Sequence, residues 1–233
     1  MRTGLILILM ATLMFPAMAQ EPANPNAKTE TRTMGPFDKV KAGNGINVTL
    51  IEDNVEKIDI HIVNAETSDV ITQLEGKTIV LKMKTMLKTG VAVQAYVHYK
   101  KLTEIHAGGA SSIDADNTLT ADKLTLSVGA DALIELEVDV KTIHANLTAG
   151  RIELTGEAIS QQVIANTAGR YNAGSLQSKE AFVKANTGAQ ATVNVSERIS
   201  GTAGSGGRVY YSGNPAKVEK SESLGGKVEE LTN

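Results

Sequence analysis

The chain has 233 residues, with 23 basic and 26 acidic side chains for a formal charge of -3, and it is 42% hydrophobic but only 3% aromatic. That length suits one domain with a sizeable core, built of necessity from Val, Ile, Leu and Ala. The absence of cysteine excludes a disulfide scaffold, a thiol nucleophile, an iron–sulfur cluster and thiolate-bound zinc. The four histidines leave little for a metal cluster, and the acidic balance argues against non-specific nucleic-acid binding. No metal or cofactor is expected.

Residues 1–19 read as a secretory signal. Arg2 supplies the basic end, Leu5 to Met14 the apolar run, and Ala17-Met18-Ala19 a small-x-small cleavage site that leaves Gln20 first. Pro16 and Gln20-Glu21 cut the apolar run short of a membrane span, which needs about 20 residues. No cysteine follows to carry a lipid, so a lipoprotein anchor is not expected. Loss of Arg2 leaves 22 basic against 26 acidic residues, a net of -4. Export to a bacterial envelope is the expectation, with the periplasm, the outer envelope and the extracellular space left open and no transmembrane segment after cleavage. Residues 20–36, rich in Pro, Asn, Thr and charge, read as a flexible leader.

From Phe37 the apolar period is two. Ile46, Val48 and Leu50 alternate with Asn47 and Thr49; Ile58, Ile60 and Ile62 alternate with Asp59 and His61. Ile79, Leu81 and Met83 continue the pattern, as do Val91, Val93, Ala95, Val97 and Tyr99, with turns at Glu75-Gly76-Lys77 and Thr89-Gly90. Each run predicts a strand with one buried face. No stretch reads as an amphipathic helix. Even Leu136, Val138 and Val140 keep period two.

The second half repeats. Glycines recur at 109, 129, 150, 169, 188 and 207, and LTLSVGA, IHANLTAG, VIANTAG and VKANTGA are versions of one phrase. Aligned on that phrase, Leu124, Ile143, Val163 and Val183 share a column; so do Leu126, Ala145, Ala165 and Ala185, and so do Ser127, Asn146, Asn166 and Asn186. A short repeat that cannot bury its own apolar face buries it by stacking on its neighbours. The pattern predicts an all-β parallel β-helix, with three short strands and three turns per coil of about 19 residues and coils about 4.8 Å apart. Residues 102–211 supply the regular coils and residues 37–101 the irregular ones at one end. The recurrent glycine is expected to supply positive φ at the turn. A β-sandwich or antiparallel roll is the alternative, chiefly over 37–101.

Two columns hold candidate functional side chains. Asn146, Asn166 and Asn186 form either a turn-stabilising amide ladder or an exposed recognition strip. After the recurrent glycine come Asp131, Arg151, Arg170, Gln190 and Arg208, with Tyr171 beside them. Asp131 would pair with Arg151, whereas Arg151 beside Arg170 is a destabilising like-charge contact. That strip is either a solvated surface network or a contact for acidic glycan, because guanidinium recognises carboxylate bidentately. Tyr210 and Tyr211 read as an end cap. Asp114 and Asp116 have no partner nearby, the histidines at 61, 98, 106 and 144 are scattered, and Gly201–Gly207 lacks the Lys-Ser/Thr of a phosphate loop. An enzyme is therefore not expected. The readings in competition are a module binding glycan or an envelope protein, a purely structural envelope protein, and a β-helix polysaccharide lyase or hydrolase.

The opening FDKVKAGNGINVTL (37–50) with its Gly45-Ile46-Asn47 tripeptide, the TAGR and ANTG phrases, and YYSGNPAKVEKSESLGG (210–226) resemble the head GIN domain family. These are exported proteins common in Bacteroidetes, often labelled auto-transporter adhesins. The resemblance implies one domain over 37–230, a right-handed single-stranded parallel β-helix with irregular N-terminal coils, located in the envelope or outside the cell. It brings no catalytic residues. At the C-terminal end, Lys217, Glu219 and Lys220 are expected to discourage further strand addition.

Overall fold

The computed structural model describes residues 26–85 and 89–231; the expected signal at 1–19 lies outside the described residues. In chain order the strands are β1 (Ala27–Thr33), β2 (Lys39–Ala42), β3 (Asn47–Glu52), β4 (Lys57–Val63), β5 (Val70–Glu75), β6 (Thr78–Met83), β7 (Ala92–Tyr99), β8 (Glu104–Ala107) and β9 (Ser112–Ala115). Longer strands follow: β10 (Leu119–Gly129), β11 (Leu133–Thr148), β12 (Arg151–Asn166), β13 (Arg170–Asn186) and β14 (Gln190–Gly204). The short β15 (Arg208–Ser212), β16 (Lys217–Glu222) and β17 (Lys227–Glu230) close the chain. From β8 onward every ladder is parallel, and the fold is an all-β solenoid.

Each regular coil is one long bent strand and one tight turn, not the three short strands and three turns that the repeat suggests. The bend has a cause in the sequence. Along β12 the buried residues are Ile152, Leu154 and Ala158, then Gln161, Val163 and Ala165, so Ile159 and Ser160 break the alternation. Two successive residues left out of the core force the backbone to turn a corner, after which the period of two resumes. The same skip falls at Lys141-Thr142 in β11 and Lys179-Glu180 in β13. Both halves of each strand thereby point one side chain in two at the same bore, which is filled by Val, Ile, Leu and Ala.

The turns stack. Gly129 accepts a hydrogen bond from the Ala132 amide, Asn166 from Gly169, Asn186 from Ala189, Gly204 from Gly207 and Ser223 from Gly226, each at 2.9–3.1 Å. The two central residues have positive φ, as at Thr167 (+47°) and Ala168 (+60°), which is the signature of a type I′ turn. The expectation about the recurrent glycine is corrected here. Gly109 and Gly188 do have positive φ, but Gly129, Gly150, Gly169 and Gly207 do not; Thr, Ala, Ser and Asp hold many of those positions instead. Gly207 is required by space, since a Cβ there would meet the Ala185 carbonyl oxygen at 2.1 Å. The constraint is the closeness of the coil beneath.

The N-terminal region does not stack in chain order. β2 and β3 lie between two other rungs, pairing with β6 and β7 on one side and β8 and β9 on the other. Antiparallel strands then finish that end: β5 on β6, β4 on β7 and β1 on β4. The flexible leader expected over 20–36 is thus corrected across 27–33, which form strand β1. Arg32 fastens it: its guanidinium donates to the carbonyls of Val70 and Thr67, to Thr72 Oγ1 and to Glu30. At the other end, β16 and β17 form an exposed, charged last rung in which Val228 is buried and Leu224 is 81% exposed. Charge on such an edge opposes strand addition.

Candidate ligand-binding face

Register decides which side chains share a line. Leu133 pairs with Arg151, Arg151 with Arg170, Arg170 with Gln190, Gln190 with Arg208, and Arg208 with Lys227. The predicted strip of Arg151, Arg170, Gln190 and Arg208 therefore occupies one column, all four exposed, and Lys227 extends it by a rung. Lys227 was legible as a residue but not as a neighbour, because its coil carries no copy of the phrase. Asp131 leaves the column: it sits in the preceding turn with φ +60°, and Leu133 takes its place.

The charges along this line are unevenly answered. Arg151 Nη1 lies 3.5 Å from Glu153 Oε1, and Arg208 Nη1 lies 3.6 Å from Glu229 Oε2. The expected ion pair between Asp131 and Arg151 does not form, and among the described residues Arg170 has no acidic partner within 4.0 Å. Two residues further along, Asp114, Glu135 and Glu153 form an acidic line parallel to the basic one. One broad face thus carries two columns of opposite sign.

Two other expectations are corrected. Tyr171 does not reach the surface: it is 2% exposed, its hydroxyl donates to Gln161 Oε1 at 2.7 Å, and burial pushes its ionisation far above the ordinary tyrosine range. Gln161 in turn donates to Ser178 Oγ at 2.8 Å, and Ser178 donates to the Asn194 carbonyl at 2.8 Å. This satisfied chain crosses the bore and is part of the core. The three-membered asparagine ladder does not form either. Asn146 is exposed and pairs with Ile164, while only Asn166 and Asn186 meet, with Nδ2 of the latter 3.5 Å from Oδ1 of the former.

The structure also gathers residues that looked scattered. His98 on β7 places Nδ1 2.9 Å from Asp53 Oδ2 and Nε2 3.1 Å from Asp59 Oδ2. Asp59 further accepts from Lys57 and Thr31, and the His61 ring meets Tyr96 edge-on at 5.1 Å. The His98 contact holds the Asp53 carboxyl below its usual range. Sequence order hid this group because antiparallel pairing of β4 with β7 brings it together. Among the described residues no cluster of His, Asp and Glu could hold a metal ion, and no helix is long and apolar enough to cross a membrane.

The sequence matches the family described as "Putative auto-transporter adhesin, head GIN domain" over residues 36–215. The chain belongs to this family. Solved structures share this solenoid fold. A "putative adhesin" from Bacteroides fragilis superposes with a TM-score of 0.80 at 17% identity, covering 89% of this chain and 98% of that one. A "putative adhesin" from Parabacteroides merdae gives 0.68 at 18% identity, covering 90% and 98%. A "putative lipid binding protein" from Parabacteroides distasonis gives 0.69 at 16% identity, covering 90% and 98%. No curated protein matches the chain.

Proposed function

We propose that this chain is an exported, non-catalytic module of adhesin type that binds a linear acidic glycan along the Arg151–Lys227 column. The observation that carries the reading is the direct pairing of Arg151 with Arg170, the latter unneutralised. Like charges opposed across a ladder lower stability, so a protein that keeps them gains something from their partner. Rungs about 4.8 Å apart present cations at a repeat suited to a carboxylated polymer lying along the solenoid axis. Family membership and the signal-like residues 1–19 support export, and the parallel ladders supply a rigid rod on which the column keeps its spacing.

The test is a titration with polygalacturonate, alongside a glycan array. Binding that weakens with added salt, and falls at least tenfold in an Arg151→Ala, Arg170→Ala double variant, is the expected result. Failure of the wild-type protein to bind any acidic polymer would overturn the reading.

A further inference from the structure

The stacked turns form a ridge with one short member. Residues 130–132, 167–169, 187–189 and 205–207 each place three residues between the end of one ladder and the start of the next, and residues 223–226 place four. Between Thr148 and Arg151 there are only two, Ala149 and Gly150. This turn lacks the i to i+3 hydrogen bond of the others and keeps only the coil-to-coil bonds that they also make: the Arg151 amide donates to Ala132 at 2.9 Å and the Asp131 amide to Ala149 at 2.6 Å. The turns on either side stand one residue taller, and a notch of about 440 Å³ opens between them.

The notch has a defined floor and charged walls. Ala149 and Gly150 form the floor, and Gly150 is held by space, because a Cβ would come within 2.6 Å of Val128 Cγ1. Arg151 and Arg170 line one part of it and Asp131, exposed and without an ion pair among the described residues, another. Two guanidinium groups and one carboxylate line the site, and Glu153 lies 3.5 Å from Arg151 beside it. A single carboxylate would satisfy the guanidinium pair through charge-assisted, fork-like hydrogen bonds. Asp131 accepts hydrogen bonds from hydroxyl groups and repels a second negative charge. A phosphate dianion meets that repulsion; a neutral sugar leaves Arg170 unanswered.

We infer that this notch is a subsite for one uronic acid ring, whose carboxylate faces Arg151 and Arg170 and whose hydroxyls donate to Asp131. The inference rests on the acidic-glycan reading and deepens it: the notch fixes one end of the polymer, and Gln190, Arg208 and Lys227 follow the rest. One missing turn residue thereby converts a uniform cationic strip into a strip with a starting point.

The experiment titrates the mature protein with galacturonate and glucuronate, with galactose, glucose and inorganic phosphate as comparators, following backbone amide resonances. Saturable shifts at residues 149–151 and 168–170 are expected with either uronate, and at least tenfold weaker ones with the comparators. Ala149→Asn should fill the notch, since φ there is +52° and asparagine accepts that conformation. It should abolish monosaccharide binding and weaken polygalacturonate binding, leaving only the part carried by Gln190, Arg208 and Lys227. Ala168→Asn, at φ +60°, fills the same space from the next turn and serves if the first variant does not fold. Uronate binding that survives both variants, phosphate binding of equal strength, or polymer binding without any monosaccharide binding would each overturn the subsite and leave the glycan reading standing. Loss of polymer binding by the wild-type protein overturns both.

Discussion

Ile143 lies beside Gln161 in the parallel ladder, where the repeated phrase would put Val163. The slip is two residues. An even slip keeps every side chain on its own face, so the inward pattern is preserved while the neighbours change. Val163 does pair with Val183 as the phrase suggests, and Ala165 with Ala185. The register offset is 18 from Leu133–Arg151 through Thr148–Asn166 because the Ala149-Gly150 turn is short, and it is 19 at Arg151–Arg170, where the turn has three residues. The same missing residue that opens the notch thus shifts the columns. Gln161, buried next to an isoleucine, is tolerated because its amide is engaged at both ends by Tyr171 and Ser178.

Gln161→Leu should therefore lower stability by about 1–3 kcal/mol, the cost of leaving the Tyr171 hydroxyl buried without an acceptor. Combining it with Tyr171→Phe removes the orphaned hydroxyl and should recover most of the loss. Urea denaturation midpoints of the two variants check this; equal midpoints would show that the hydroxyl finds another acceptor.

Two adjacent glycines should respond differently to the same change. Gly206 has φ +73° and open space where a Cβ would go, so Gly206→Ala should cost about 1–2 kcal/mol of backbone strain. Gly207→Ala drives a methyl into the Ala185 carbonyl and should cost clearly more, or prevent folding. Comparing soluble yield and melting temperature separates conformational need from lack of space.

Acid should loosen the N-terminal cap before the coils. The Arg32 hydrogen bond, aided by Thr67, holds the Glu30 carboxyl at about 2 against an ordinary 4.5. A lowered folded-state value means that the stabilisation is complete above pH 4.5 and is lost as pH falls toward 2. Amide exchange in β1 should accelerate across that window in the native protein. In Arg32→Ala, β1 should exchange faster already at neutral pH and show a smaller acid response.

Arg170→Ala removes a like-charge contact with Arg151 and breaks no ion pair. Its melting temperature should be equal to or above that of the parent, while affinity for polygalacturonate falls. A lowered melting temperature would show that Arg170 serves the fold rather than a ligand.

His98 marks the limit of sequence reading at the irregular end. Its contacts with Asp53 and Asp59 join residues 45 and 39 positions away, and nothing local announces them. The Arg column was legible because each arginine follows a glycine at nearly constant spacing. Tyr171 was misplaced for a related reason: it follows Arg170 directly, and alternation puts neighbours on opposite faces.

The sequence by itself determined the strand content, the inward and outward alternation, the stacking repeat and the line of arginines, because each depends on a period carried by nearby residues. Tertiary structure decided which rungs touch: the insertion of β2 and β3 between later strands, the antiparallel cap with β1, the Gln161–Tyr171 core bond and the notch at Ala149-Gly150. These depend on register between distant segments. A pattern of period two is unchanged when a strand slides by two residues, so only the packed neighbours choose among the registers that it allows.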